Sequence, residues 1–261
     1  MVKVYSACAK VNIFLKIIGK REDGYHLIVS RFARLESLCD KLWFEAAGSR
    51  GFEVKGDFDC ANEQNTISRS LAALARLFPS RKLFAFAERH RVSVFKQIPS
   101  GAGLGGASSD AAAFLHAINE EADLRLTNAE LMEAGGSVGA DIPFFLSGFK
   151  SANVRGIGDI VEEFADDLPE IAVKTPPIHC ETTKVYQSFR RNFSQDSAFS
   201  ESLALRLAAM KSREILEGSF AAAELNDLLP AALKIYPELL EYKEDGWFFS
   251  GSGGSFFRAG K

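Results

Sequence analysis

The sequence predicts an α+β fold. Three observations carry that expectation. An alternating apolar run opens the chain, strand-rich and helix-rich stretches do not alternate regularly, and a glycine-crowded loop joins a strand to an Ala-rich helix. A doubly wound sheet would need repeated β-α-β units, which the pattern lacks. The 261 residues suffice for one large domain or two modest ones, and a boundary is expected near residue 150, giving segments 1–150 and 151–261.

Residues 2–18 read as a strand. Ala7, Ala9, Val11, Ile13, Leu15 and Ile17 share one face, and Cys8, Lys10, Asn12 and Lys16 share the other. Glu22-Asp23-Gly24 signals a turn. Strands are then expected at Tyr25–Leu38 and Lys41–Glu45, so the first third reads as a β-meander. Ile67, Leu71, Leu74 and Phe78 lie at helical spacing in 65–78, and Arg91–Gln97 alternates as a strand. Ala111–Ala122 is Ala-rich and helical, and Thr127-Asn128-Ala129-Glu130 fits a capping box for a helix ending before Gly135-Gly136. Short strands follow in 151–174. Residues 182–242 are expected to be mostly helical, and 247–257 closes as two aromatic strands around Gly251, Gly253 and Gly254.

Composition narrows the function classes. With 31 Lys+Arg against 34 Asp+Glu the net charge is -3, which leaves no basic footprint for nucleic acid. No window approaches the ~20 apolar residues of a membrane helix. Ala7-Cys8-Ala9 imitates a signal-peptidase site, but the six residues before it include Lys3 and leave no room for an apolar segment. A cytoplasmic protein is expected. Cys8, Cys39, Cys60 and Cys180 form no CxxC pair, so reduced thiols are expected in place of zinc or a disulfide framework.

The chemistry concentrates in Pro99-Ser100-Gly101-Ala102-Gly103-Leu104-Gly105-Gly106-Ala107-Ser108-Ser109. Four glycines in six residues allow close approach of the backbone to a ligand, and a helix starting there presents unpaired N–H groups and a positive dipole end. That is an anion site, and phosphate suits it. Ser108 and Ser109 add hydroxyl donors. No GxxxxGK[ST] occurs, so a Walker A loop is excluded. Gly101-x-Gly103-x-x-Gly106 also satisfies the dinucleotide fingerprint, with Glu120, Glu121 and Asp123 as ribose-binding acids. This competitor, a dinucleotide-dependent oxidoreductase, stays open at this point, as does a non-enzymatic nucleotide-binding module.

Pro99-x-x-x-Gly103-Leu104-Gly105 with Ser108-Ser109 resembles the phosphate loop of the GHMP kinases. Ala9-Lys10-Val11-Asn12-Ile13-Phe14-Leu15, Arg21-Glu22-Asp23-Gly24-Tyr25-His26, Gly139-Ala140-Asp141-Ile142-Pro143 and Gly251-Ser252-Gly253-Gly254 resemble, in order, motifs of the diphosphocytidyl-methylerythritol kinases within that superfamily. The resemblance implies a two-lobed fold, with an N-terminal nucleotide-binding lobe and a C-terminal substrate lobe of antiparallel sheet and helices. It implies ATP and Mg²⁺ as cofactors and a cytidine diphosphate-linked methylerythritol as substrate, phosphorylated on its 2-hydroxyl in the non-mevalonate isoprenoid route. The alternative within the superfamily is another small-alcohol kinase.

By the same resemblance Lys10 and Asp141 are catalytic, Asp141 as the base and Lys10 as the cation beside it. Residue reading alone leaves Asp141 equally an N-cap before Pro143, and Lys10 a solvated strand lysine. Tyr25 and His26 match the residues that stack on and hydrogen-bond the cytosine. Tyr186 is the counterpart of a second aromatic, usually Phe, and Asn12 shares the strand face of Lys10. Asn65 and Asn226 have no firm role. Asp110 stands where Asn is frequent in relatives, and a helix cap is its expected use. Metal ligands carry no recognisable pattern. Partners are expected to be small molecules, with no nucleic acid or membrane and the chain a monomer or weak homodimer. The chain stops four residues after Phe257, so a final helix is expected to be missing or the last sheet edge exposed.

Overall fold

A computed structural model describes residues 2–48, 51–193 and 197–260. The chain divides into two units, one of residues 1–9, 36–98 and 105–148, the other of 10–35, 99–104 and 149–261. One change of unit falls between Gly148 and Phe149. Residues 10–35 and 99–104 group with 149–261.

Two long strands open the chain, β1 (Tyr5–Lys20) and β2 (His26–Ala46). β2 is continuous where a break was expected between Leu38 and Lys41. Asp40, which falls in that gap, is fully buried within the strand. In the first unit β3 (Val54–Lys55) precedes α1 (Thr66–Leu77), α2 (Arg81–Arg89) and β4 (His90–Phe95). β4 runs antiparallel to β2 with Leu42 opposite Val94, and β3 lies parallel on its other side. α3 (Gly106–Glu121), α4 (Asn128–Gly136) and α5 (Ile142–Ser147) complete this unit, with α3 packed on α1, α4 and α5. Asn65 caps α1 through Ile67 N–H at 2.9 Å. The Thr127–Glu130 capping box of α4 is present as expected. The helix runs on through Gly135-Gly136, because Gly135 leaves room for Ile142 of α5.

In the second unit β5 (Ser151–Arg155) pairs antiparallel with β2, Phe32 opposite Ala152, and β6 (Ile160–Glu163) pairs with β5. β7 (Ile171–Lys174) leads to α6 (Thr182–Asn192), α7 (Ser197–Ala209), α8 (Ser212–Leu216), α9 (Ala222–Leu225) and α10 (Leu229–Ile235). The expected helical stretch 182–242 is thus several short helices, and its residues 194–196 lie outside the described ones. β8 (Phe248–Phe249) and β9 (Phe256–Ala259) form a second antiparallel sheet with β7. β9 is its middle strand, in place of the exposed last edge expected: Phe256 and Phe257 are paired on both sides, with β7 and β8, while Arg258 and Ala259 pair with β7. Leu15, Ile17, Ile28, Val185, Phe189, Leu228 and Phe256 form the core of this unit. Lys16 and Asp227 pair inside it, with side chains only 6% and 4% exposed.

The thiol expectation needs correction. Cys8 and Cys39 are bonded to each other, while Cys60 is free and exposed and Cys180 free and buried. The two partners stand on adjacent strands, 31 residues apart, a proximity that residue spacing does not reveal. No described helix is long and apolar enough to cross a membrane.

Candidate active site

In the second unit, Lys10 is 4% exposed, which excludes a solvated strand lysine. Its Nζ lies 4.4 Å from the centre of the Phe32 ring and donates to Asn12 Oδ1 at 2.6 Å. Period-two alternation on β1 places the two side chains on one face. Asn12 Nδ2 donates in turn to Ser30 Oγ at 2.9 Å. Both ends of the Asn12 amide therefore serve to aim Lys10.

The first half of the glycine loop is bonded into the same place. Lys10 N–H donates to Leu104 O at 2.9 Å, and Ser250 Oγ donates to Gly103 O at 3.0 Å while accepting Asn12 N–H at 3.3 Å. The 251–254 segment packs directly on it. Ser255 N–H and Gly254 N–H donate to Ala102 O and Gly101 O at 3.1 and 3.3 Å. Gly103 sits at φ +73°, and a Cβ there would come within 2.2 Å of Ser250 O, so glycine is required on both conformational and steric grounds. Asn226, which sequence left without a role, donates to Phe249 O at 2.8 Å and Gly251 O at 2.9 Å and so shapes this second glycine segment.

The remaining expected substrate residues lie in the same unit. Arg21–Tyr25 closes a tight turn around Gly24, with Arg21 N–H donating to Tyr25 O at 2.7 Å. Tyr25 is 61% exposed. His26, which opens β2, faces Tyr186 at 5.2 Å between ring centres and meets Phe189 edge-on at 5.7 Å. The aromatic pair the structure brings together is therefore His26 with Tyr186. Burial, and next the positive charges of Arg190 and Lys20, hold the His26 imidazole below its usual pKa, leaving it neutral with one donor and one acceptor.

In the first unit, α3 begins at Gly106, five residues before the Ala-rich run, with Gly105 as its left-handed N-cap. The first N–H groups of the helix, at Gly106, Ala107 and Ser108, have no helical acceptor and carry the positive end of a 16-residue dipole. Ser109 is turned elsewhere. Its N–H bonds Gly105 O at 2.9 Å, and its hydroxyl, expected to face a ligand, donates to Cys8 O at 2.7 Å. Asp110 is likewise no cap. It lies within α3, and its carboxylate accepts from Lys96 Nζ at 2.6 Å.

Asp141 occupies the N-cap position of α5, yet its side chain makes no capping bond. Pro143, which has no N–H to satisfy, stands in the first turn instead. The turn before it comes close to the start of α3: a Cβ on Gly139 would lie 3.8 Å from Ser108 Oγ. Within this unit the structure thus gathers the helix start and the Asp141 turn. The dinucleotide reading needs the strand that follows the glycine turn and its helix to lie parallel beside the strand before them. β4 instead has β2 antiparallel on one side and β3, which precedes it in the chain, on the other, and this speaks against that reading.

Comparison with known proteins agrees. Residues 65–149 match the GHMP kinases N terminal domain. The 4-diphosphocytidyl-2-C-methyl-D-erythritol kinase of Sulfurimonas denitrificans is 46% identical, over 98% of this chain and 96% of that protein. A crystal structure of 4-(cytidine 5'-diphospho)-2C-methyl-D-erythritol kinase superposes with a TM-score of 0.73 at 30% identity, covering 99% of this chain and 90% of the other. Homoserine kinase from Cytophaga hutchinsonii, 18% identical with a TM-score of 0.66 over 99% and 84%, shares the fold. This chain is an α+β protein of the GHMP kinase fold and belongs to the 4-diphosphocytidyl-2-C-methyl-D-erythritol kinase family.

Proposed function

We propose that the chain transfers the γ-phosphoryl group of ATP to the 2-hydroxyl of 4-diphosphocytidyl-2-C-methyl-D-erythritol, in the non-mevalonate route to isoprenoid precursors. The observation that carries this reading is the buried Lys10–Asn12 pair, bonded into both glycine segments in a unit that also pairs His26 with Tyr186. A kinase for a simpler alcohol has no use for that aromatic face.

The residues divide the work as phosphoryl transfer requires. Backbone N–H groups from Gly101 to Ser108 hold the nucleotide phosphates. Asp141 accepts the hydroxyl proton as the oxygen bonds the γ-phosphorus, the bond to the β–γ bridging oxygen breaks, and ADP leaves. Lys10 orients the hydroxyl and offsets the growing negative charge. Tyr25, His26 and Tyr186 hold the cytosine by stacking and hydrogen bonding. Among the described residues no group of three or more His, Cys, Asp or Glu is placed to cage a metal. Mg²⁺ would be held mostly by the phosphate oxygens of ATP and water, with few protein ligands, and would screen the phosphate charge. In this reading the enzyme works in the cytoplasm, as a monomer or weak homodimer.

The test is ADP release with ATP and Mg²⁺, with and without diphosphocytidyl methylerythritol. Release that depends on this compound and not on homoserine or mevalonate is expected. Substrate-independent release, or none, would defeat the proposal.

A further inference from the structure

Asp40 lies outside the machinery assigned above and is fully buried in β2. Its Oδ1 accepts the N–H groups of Gln97 and of Ile98, the latter at 2.8 Å, and these are the last two residues before Pro99. Its Oδ2 accepts from Lys96 Nζ. The same ammonium bonds Asp110 Oδ2 at 2.6 Å, one turn into α3. Gly106 is pressed against this cluster: a Cβ there would stand 2.9 Å from Ile98 Cγ2 and 3.6 Å from Lys96 Nζ. Among the described residues Asp110 Oδ1 is buried with no hydrogen-bond partner, so Lys96 is the cation that holds this carboxyl in the network. One buried carboxylate thus grips the chain entering the glycine loop and, through Lys96, the helix leaving it.

We propose that Asp40 is a positioning residue for the phosphate loop, fixing the separation of Ile98 and Gly106 through the Asp40–Lys96–Asp110 chain of ion pairs. This rests on the reading that nucleotide phosphates sit on that loop. Asp40 does not itself touch the nucleotide. Its effect is preorganisation: N–H groups already aimed need no ordering when phosphate arrives, so affinity is gained without a new contact. Buried charge pairs suit such a role because their geometry is specific and their disruption expensive.

Asp40→Asn separates the two grips. The amide oxygen still accepts Gln97 and Ile98, but its NH₂ group meets Lys96 as a second donor. Calorimetric titration with ADP, which needs no turnover, is expected to show about tenfold weaker binding. The KM for the cytidine substrate should change less than twofold, and kcat at saturating ATP less than threefold. Asp110→Asn keeps an oxygen for Lys96, and its ADP affinity should stay within twofold. If Asp40→Asn does not fold, the double variant Lys96→Met/Asp110→Asn, which removes the bridging ammonium and the carboxyl it holds in α3, should show the same selective loss. Unchanged ADP affinity in a folded variant, or equal losses for ADP and the cytidine substrate, would overturn the proposal. Gly103→Val serves as the control. ADP binding by wild type that survives this change refutes the loop reading itself, whereas its loss there with none in Asp40→Asn refutes only the positioning role.

Discussion

The main-chain nitrogen of Gly103 lies where a side chain on Gly253 would have to stand: a Cβ at 253 would be 1.9 Å from it. Two glycine segments 150 residues apart therefore meet backbone to backbone, and neither can yield without moving Ser250 or Ala102.

Gly253→Ala is expected to force the segments apart. The cost should exceed the ~1–3 kcal/mol typical of overpacking, because the obstacle is backbone and not a flexible side chain. Urea unfolding would measure it. Gly24→Ala is the contrast, since a Cβ there meets nothing within 4 Å and only its φ of +92° is strained. That variant should lose about 1 kcal/mol.

Asp141→Asn removes the proposed base while leaving the start of α5 alone, because the carboxylate makes no capping bond. A fall in kcat of ~10²–10⁴ is expected with ADP affinity within twofold. Near-normal turnover in the variant would take the base assignment away from Asp141.

Tyr186→Ala should raise the KM for the cytidine substrate about tenfold, the order of one lost base–aromatic stack, while the KM for ATP stays within twofold. Tyr186→Phe preserves the ring facing His26 and should behave as wild type. Equal effects from both substitutions would point to the hydroxyl in place of the stack.

Burial pushes the Asp110 carboxyl up to about 7, against the pull of Lys96 and with a further push from Asp40. For Lys96 burial works the other way, but Asp110 and Asp40 outweigh it and keep the ammonium charged. Between pH 4 and 7 the folded chain then holds a proton at Asp110 that the unfolded chain has released. The stability this contributes is present at pH 4 and is lost as pH rises through about 7, at up to ~1.4 kcal/mol per pH unit. Asp110→Asn should abolish that slope. Parallel stability–pH curves for wild type and variant would contradict the raised carboxyl.

Much of this was legible because it is local. The Asn65 and Thr127 caps, the helical spacing of α1 and the two glycine segments each act within a few residues of themselves. The chemistry of Lys10 and Asp141 became legible only through motif resemblance, since a lone strand lysine and an aspartate before Pro143 have commoner uses. α2 was missed although Ser80 caps it, because Leu83 is its only buried residue and leaves almost no apolar stripe. The continuity of β2 across Cys39 and Asp40 was not legible locally, because a buried strand carboxylate needs partners to satisfy it. Gln97, Ile98 and Lys96 do so from more than 50 positions away. The Asp110 cap and the Ser109 donor failed for a similar reason: their partners, Lys96 and Cys8, are brought in by the fold.

The bond between Cys8 and Cys39 changes how the molecule can be handled at the bench. It withdraws two of four thiols from reaction, and burial raises the Cys180 thiol to about 11. Cys60, exposed shortly before the Asn65 cap of α1, is left as the single address for a maleimide dye in the native, oxidised chain. A fluorophore there would follow nucleotide titrations with no engineered cysteine, and two further equivalents of label taken up after reduction would count the bridge directly.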